Sequence, residues 1–372
     1  MSRFFDLVSK PAREMGDYFP APPAKRAAAD GRPQLIKLDS NENPFGPSPR
    51  ALSAMQTALL AANSYPDDDC TELRRKLAAH HDMPAEQVLV TAGSTALLGL
   101  LCQTMLAPGL NAVTSERSFI VYAMAVHAAG AQLIETPMRE DGFDLDGILA
   151  AINERTRLVF LANPNNPTGT MLEAAVVDEF IAQVPGHVVV VLDEAYYEYA
   201  MHFAALRKVD YSGSLNYVRQ GASVVVLRTF SKAHGLAGLR VGYGLGPAEL
   251  LAYCARMRDT FSVSSVAQAA ATAALDDLGE VERVVANNAE QAEILGAGLS
   301  ELGYRVVPSA ANFVYCDLGE DAFGFAQRLR GEGVSVRPLS AWGAPTCVRV
   351  SIGTREQNQI FLDAAGKIAA RS

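Results

Sequence analysis

The stretch TFSKAHGLAGLRVGY, Thr229 to Tyr243, follows the apolar run SVVVL (Ser223 to Leu227) with only Arg228 between them. A buried parallel strand reads as a continuous apolar run. SVVVL therefore predicts a strand, and TFSK marks its carboxyl end. In open α/β sheets, ligands sit beyond the carboxyl ends of the strands. Lys232 stands in that position, and Arg240 lies eight residues further on (240 − 232). Gly235, Gly238 and Gly242 let the chain turn tightly around them. An amine and a guanidinium held this way suit an electrophile and an anion on one small molecule.

Outward from this point the same pattern recurs. Short β-rich runs appear at QVLVTAG (Gln87 to Gly93), NAVTSE (Asn111 to Glu116) and AQLIETP (Ala131 to Pro137). They continue at RLVFLANP (Arg157 to Pro164), HVVVVLDEA (His187 to Ala195) and VGYGLG (Val241 to Gly246). Amphipathic helical spans separate many of them. The alternation implies an α/β fold, with a mainly parallel seven-stranded sheet flanked by helices. SPRALSAMQTALLAA opens a helix with a serine cap and a proline. Past about Leu250 the pattern changes. An Ala-rich helical region over 264–302 precedes YRVVPSAANFVYCDL, VSVRPL and CVRVSIGT, which form a second, smaller α+β unit. The expected organisation is an N-terminal arm and start of the small domain over 1–47, a large domain over 48–258 and a small domain over 259–372. FPAPPAKRAAADGRP (Phe19 to Pro33), with four prolines, predicts an extended arm.

Composition bounds the function. With 372 residues, 49% hydrophobic and 20% charged, the chain can bury one large core or two smaller ones. A formal net charge of −9, from 32 basic and 41 acidic side chains, argues against a nucleic-acid binder. Five scattered cysteines without a CxxC read as reduced thiols of a cytoplasmic protein. Arg3, Asp6, Lys10 and Arg13 interrupt any signal-peptide core, and runs such as VVVVL are too short to span a bilayer.

The other strand ends carry complementary chemistry. Gly93, Ser94 and Thr95 open a helix, whose N-terminus is an anion site. NPNNPTG holds Asn166 in a constrained turn, and DEAY offers Asp193 with Tyr196. Each feature alone reads as a cap, a turn or a surface group. Together they match pyridoxal 5′-phosphate. Its aldehyde needs a lysine for a Schiff base, its ring nitrogen a carboxylate and its phenolic oxygen an amide and a phenol. Its phosphate needs a helix N-terminus, hydroxyls and an arginine.

These motifs resemble the fold-type I aminotransferases, and within them the histidinol-phosphate aminotransferase family. The resemblance runs through LDSNENPFGPSP, YPDDDCTELR, NPNNPTG, LDEAYYEY, TFSKAHGLAGLRVGY, ANFVYC and VRVSIGT, in that order. It implies that Lys232 carries the cofactor, Asp193 pairs with the ring nitrogen, and Asn166 and Tyr196 contact the ring oxygen. It implies a phosphate cradle of Gly93, Ser94, Thr95, Thr229, Ser231 and Arg240, with Phe119 stacked on the ring. Tyr65 would reach the neighbouring subunit's phosphate, making a homodimer with shared sites. Tyr18, Asn43, Arg337 and Arg349 are the implied substrate ligands. The implied reaction passes the amino group of L-histidinol phosphate to a 2-oxo acid, 2-oxoglutarate, as in histidine biosynthesis. Lys232 serves as general base and then acid. The arm shows Tyr18 but no glycine after Pro20, so an aromatic amino acid aminotransferase stays open as the alternative. A threonine-phosphate decarboxylase-like lyase and a non-catalytic cofactor-binding regulator stand behind it. A dinucleotide-binding dehydrogenase is disfavoured, since GYGLG lacks the GxGxxG spacing.

Overall fold

The computed structural model describes residues 4, 5, 7–14 and 35–370. Tyr18 and the proline-rich stretch lie outside the described residues. All seven expected runs are strands of one sheet. Its order is Val88–Thr91, Gly242–Leu245, Val224–Thr229, Val189–Asp193, Thr156–Ala162, Asn111–Ser115 and Gln132–Thr136. Only Gly242–Leu245 runs antiparallel to its neighbours. The central strands are buried along their whole length, as their unbroken Val and Leu runs require.

Gly242 and Gly244 explain how that antiparallel strand fits. A Cβ on Gly242 would lie 2.5 Å from the Ser94 amide nitrogen. The strand therefore runs directly beneath the N-terminus of the helix Ser94–Met105.

A second sheet has the order Ile36–Leu38, Val334–Leu339, Ala344–Ser351, Phe313–Asp317 and Arg305–Val307. Its first strand lies inside 1–47, the segment expected to hold the N-terminal arm and the start of the small domain. That strand pairs in parallel with Val334–Leu339, which gives its backbone hydrogen bonds a partner. The Ala-rich region is two helices, Ser265–Ala274 and Leu278–Glu301, parted at Asp276 and Asp277, residues of low helix propensity. The first of these lies beyond the expected division at 258/259. Yet Ala267, Ala270, Ala271 and Ala274 bury into the larger core, and the helix packs against Pro49–Leu59. Small side chains allow that close helix contact. Among the described residues, no helix is long and apolar enough to cross a membrane.

Candidate active site

A cavity of about 490 Å³ opens at the carboxyl ends of the large-sheet strands, between the two sheets. Twelve expected side chains line it: Ser94, Thr95, Phe119, Asn166, Asp193, Tyr196, Thr229, Ser231, Lys232, Arg240, Arg337 and Arg349. They come from strand ends spread along the chain, which only the sheet brings together.

Lys232 sits at the centre. Its loop is held by the Gly235 amide donating to the Lys232 carbonyl at 2.9 Å. Gly235 has φ +69°, and a Cβ there would stand 2.2 Å from the Gly46 carbonyl oxygen, so only glycine fits. The Lys232 Nζ donates to the Asn41 carbonyl at 3.2 Å and lies 5.5 Å from the Tyr196 ring centre. Burial, with Arg349 adding to it, pulls this amine down to about 7.

Asp193 ends its strand. Its Oδ2 accepts from the Tyr122 hydroxyl at 2.9 Å and its Oδ1 from the Ala195 amide at 3.2 Å. Burial raises its carboxyl to about 6 against those bonds. Tyr122 is also stacked on Phe160 and meets Phe119 edge-on. Beside Asp193, Glu194 accepts from Arg228 Nε at 3.0 Å and Nη2 at 2.8 Å, in a fully buried ion pair that pins two strand ends.

One end of the cavity is an anion cradle. The helix Ser94–Met105 points its N-terminus there, with the hydroxyls of Thr229 and Ser231 hydrogen-bonded to each other at 3.0 Å. Arg240 Nη1 donates to Ser231 Oγ at 3.3 Å. Gly93 is not itself in the lining. It makes room, because a Cβ at Gly93 would stand 2.6 Å from Arg240 Nη2.

The other end carries two arginines. Arg337 and Arg349 are register partners on adjacent antiparallel strands. Both reach the Asp39 carbonyl, from Arg337 Nε at 3.3 Å and Arg349 Nη2 at 3.0 Å. Arg349 Nη1 also donates to Asn166 Oδ1 at 2.6 Å.

Besides Gly93, two expected residues, Tyr65 and Asn43, do not line this cavity. Tyr65 is 82% exposed in the single chain and stacks on Phe261 with ring centres 4.6 Å apart. Tyr18 lies outside the described residues. Asn43 is committed elsewhere: its Nδ2 donates to the Ala233 carbonyl at 2.8 Å and its Oδ1 accepts from the Phe45 amide. Of the two asparagines in SNEN, the one that lines the cavity is Asn41, in the left-handed conformation at φ +54°. Its Nδ2 donates to the Tyr196 hydroxyl at 2.9 Å, and its Oδ1 accepts from Ser351 at 3.1 Å. Its carbonyl accepts from both Lys232 and Asn312. Asn41 and Tyr122 were not anticipated from the sequence. Asn41 is one of two asparagines in SNEN, with nothing local to choose between them. Tyr122, within an apolar helix, reads as plain core.

The donor set fits pyridoxal 5′-phosphate. A near-neutral amine, a buried carboxylate, an amide with a phenol, and an anion cradle are arranged around one space. Gly93 leaves open the side of the cradle that any other residue would fill.

Comparison with known proteins agrees. The model of the aminotransferase class I and II family matches residues 33–364. A histidinol-phosphate aminotransferase 2 of Pseudomonas aeruginosa is 44% identical over 376 aligned residues, covering 100% of both chains. A histidinol-phosphate aminotransferase 1 of Thiobacillus denitrificans is 43% identical over 96% of this chain and 92% of its own. The crystal structure of histidinol-phosphate aminotransferase from Sinorhizobium meliloti, in complex with pyridoxal-5′-phosphate, superposes with a TM-score of 0.84. It is 30% identical, over 90% of this chain and 91% of that one. A Thermus thermophilus aspartate aminotransferase tetra mutant, at 24% identity and a TM-score of 0.82, shares the fold. The chain has the fold-type I architecture, with pyridoxal 5′-phosphate as the cofactor its family uses, and belongs to the class I and II aminotransferases.

Proposed function

We propose that this enzyme transfers the amino group of L-histidinol phosphate to 2-oxoglutarate. One observation supports the substrate choice: the cavity lining carries a second cationic pole besides the one at the helix N-terminus. The helix N-terminus with Arg240 suits the cofactor phosphate, and the Arg337–Arg349 pair suits a phosphate or a carboxylate on the substrate. Arginine binds such dianions through paired, charge-assisted hydrogen bonds. The names of the full-length relatives support the same reading.

When bound, pyridoxal 5′-phosphate supplies an aldehyde and an electron-accepting ring. The chain's part is to hold, orient and move protons. Lys232 Nζ, brought near neutrality by burial, takes the proton from the donor's α-carbon and later returns one. Asp193, oriented by Tyr122 and the Ala195 amide, would accept a hydrogen bond from the ring nitrogen and keep the proton on it. Tyr196, oriented by Asn41, and Asn166, held by Arg349, would hold the ring oxygen. Phe119 would cover the ring.

The working unit in this reading is a cytoplasmic homodimer, with Tyr65 reaching the partner's cradle. Leu59, Leu60, Tyr65, Met257 and Phe261 are exposed apolar groups in the single chain that a second copy would cover. The small unit takes in the strand at 36–38, and the large unit extends through the helix Ser265–Ala274.

A half-reaction screen tests the substrate. The cofactor band is followed as L-histidinol phosphate, phenylalanine or tyrosine is added. Histidinol phosphate should lead in kcat/KM by about tenfold or more, about 1.4 kcal/mol in the barrier. The reverse ranking would make this an aromatic amino acid aminotransferase.

A further inference from the structure

Away from the reacting groups, a charge bridge joins the smaller sheet to a loop that follows a strand of the larger one. Asp141 Oδ2 accepts from Arg305 Nη1 at 2.7 Å, and its Oδ1 accepts from Arg117 Nη1 at 3.3 Å. Arg305 opens a strand of the smaller sheet, where it also faces Asp317 at 3.7 Å. Arg117 lies on the loop after the strand Asn111–Ser115, two residues before Phe119. The Arg117 carbonyl accepts from Asn165 Nδ2 at 3.1 Å, in the turn that carries Asn166. One carboxylate thus ties the smaller sheet to the loop bearing Phe119 and, through Arg117, to the turn bearing Asn166. A cleft of about 620 Å³ between the sheets, lined by Arg117 and Arg305, shares Phe119, Ile120 and Trp342 with the main cavity.

The backbone gives a second, independent sign. Asp141 sits in the two-residue turn of the hairpin Met138–Arg139 with Gly142–Phe143. Both central residues have positive φ, Glu140 at 51° and Asp141 at 62°. Such turns favour Asn-Gly, because side chains are strained there. A carboxylate occupies a position that glycine would relax. Arg117, its partner, is also left-handed at φ 49°. Strain that persists in this way is held by the interactions around it.

We propose that Asp141 is a positioning residue which, through Arg117 and Arg305, holds the smaller unit closed over the cavity and fixes the loop that carries Phe119. The bridge touches no reacting atom. Its catalytic consequence rests on the aminotransferase reading of the cavity, whereas its structural consequence does not.

The test uses the full-length holoenzyme and the variants Asp141→Asn, Asp141→Gly and Arg305→Ala. Amide hydrogen exchange of residues 116–120, measured without substrate, should rise severalfold in all three. With any donor the wild type accepts, KM should rise about three- to tenfold, with kcat within about twofold, because the closed form is less populated. Raised salt should bring the wild type toward the variants. The double variant Asp141→Asn with Arg305→Ala should match the single ones. Asp141→Gly separates the alternatives, since it relaxes the turn and keeps or raises Tm. Wild-type exchange and KM in Asp141→Gly would show that Asp141 only shapes the hairpin, and would overturn the proposal. So would additive losses in the double variant. The exchange readout needs no substrate, so a wrong donor assignment fails the half-reaction screen without affecting it.

Discussion

A single methyl group at Gly93 probes the anion cradle. Gly93 has φ 86° and ψ 157°, a region essentially reserved for glycine. Holding alanine there costs about 1–3 kcal/mol of stability. The new Cβ would also stand 2.6 Å from Arg240 Nη2 and 3.2 Å from its Cζ. The guanidinium ends a flexible side chain and can swing aside, so the clash itself costs little. The swing takes it from Ser231 Oγ and from the helix N-terminus, where it faces the cofactor phosphate in our reading. A hydrogen bond to a charged group is worth about 1.5–3 kcal/mol. Gly93→Ala should therefore raise the Kd for pyridoxal 5′-phosphate about 10- to 150-fold, with a lower Tm from the backbone strain. Titrating stripped protein with cofactor by absorbance measures the first effect and a melting curve the second. In an Arg240→Ala background, Gly93→Ala should add less than about a twofold further loss of affinity. A folded Gly93→Ala protein that binds cofactor as tightly as the parent would refute the reasoning. Losses that add fully in the double variant would show that the glycine acts through something other than Arg240.

Two further outcomes are expected. Burial and Arg349 hold the Lys232 amine at about 7, against 10.5 in an unfolded chain. Between those values the unfolded state binds a proton that the folded state does not, so this group's contribution to stability rises with pH across the window and is lost as pH falls through 7. In cofactor-free protein, the urea midpoint of wild type minus Lys232→Met should climb from pH 7 to 10.5, and a flat difference would refute the shift. Mixing inactive Lys232→Ala with Tyr65→Ala should restore activity in hybrid dimers, where one site regains both parts; strictly monomeric active enzyme in sedimentation would rule out the shared site.

The larger sheet was legible because buried parallel strands leave long apolar runs, and a polar residue at the end of such a run stands out. Asp193, Thr229 and Lys232 were found in that way. Arg349 needed the family resemblance, since VRVSIGT alone reads as an ordinary strand. Other features had no local signature. The strand Ile36–Leu38 is only three residues long and takes its partner from near the other end of the chain. The choice of Asn41 over Asn43 depends on a left-handed backbone at Asn41 and on Ser351 and Asn312, roughly three hundred positions away. The hairpin at Glu140 and Asp141 carries an Asp-Gly pair at 141–142, one position past the two central residues where such a pair would announce it.

The meeting of Asp39 with Arg349, 310 positions apart in the chain, has a consequence for biosynthesis. The ribosome releases Asp39 and Asn41 early, while Asn312, Arg349 and Ser351 are among the last parts made. Domains fold as units during synthesis, so the large sheet, complete by Leu245, can close while Asn312, Arg349 and Ser351 are still untranslated. A nascent chain at that stage carries the lysine and the helix N-terminus but no second arginine pole. In the reading proposed above, competence for substrate thus arrives in the final stretch of translation, when Arg337 and Arg349 are made.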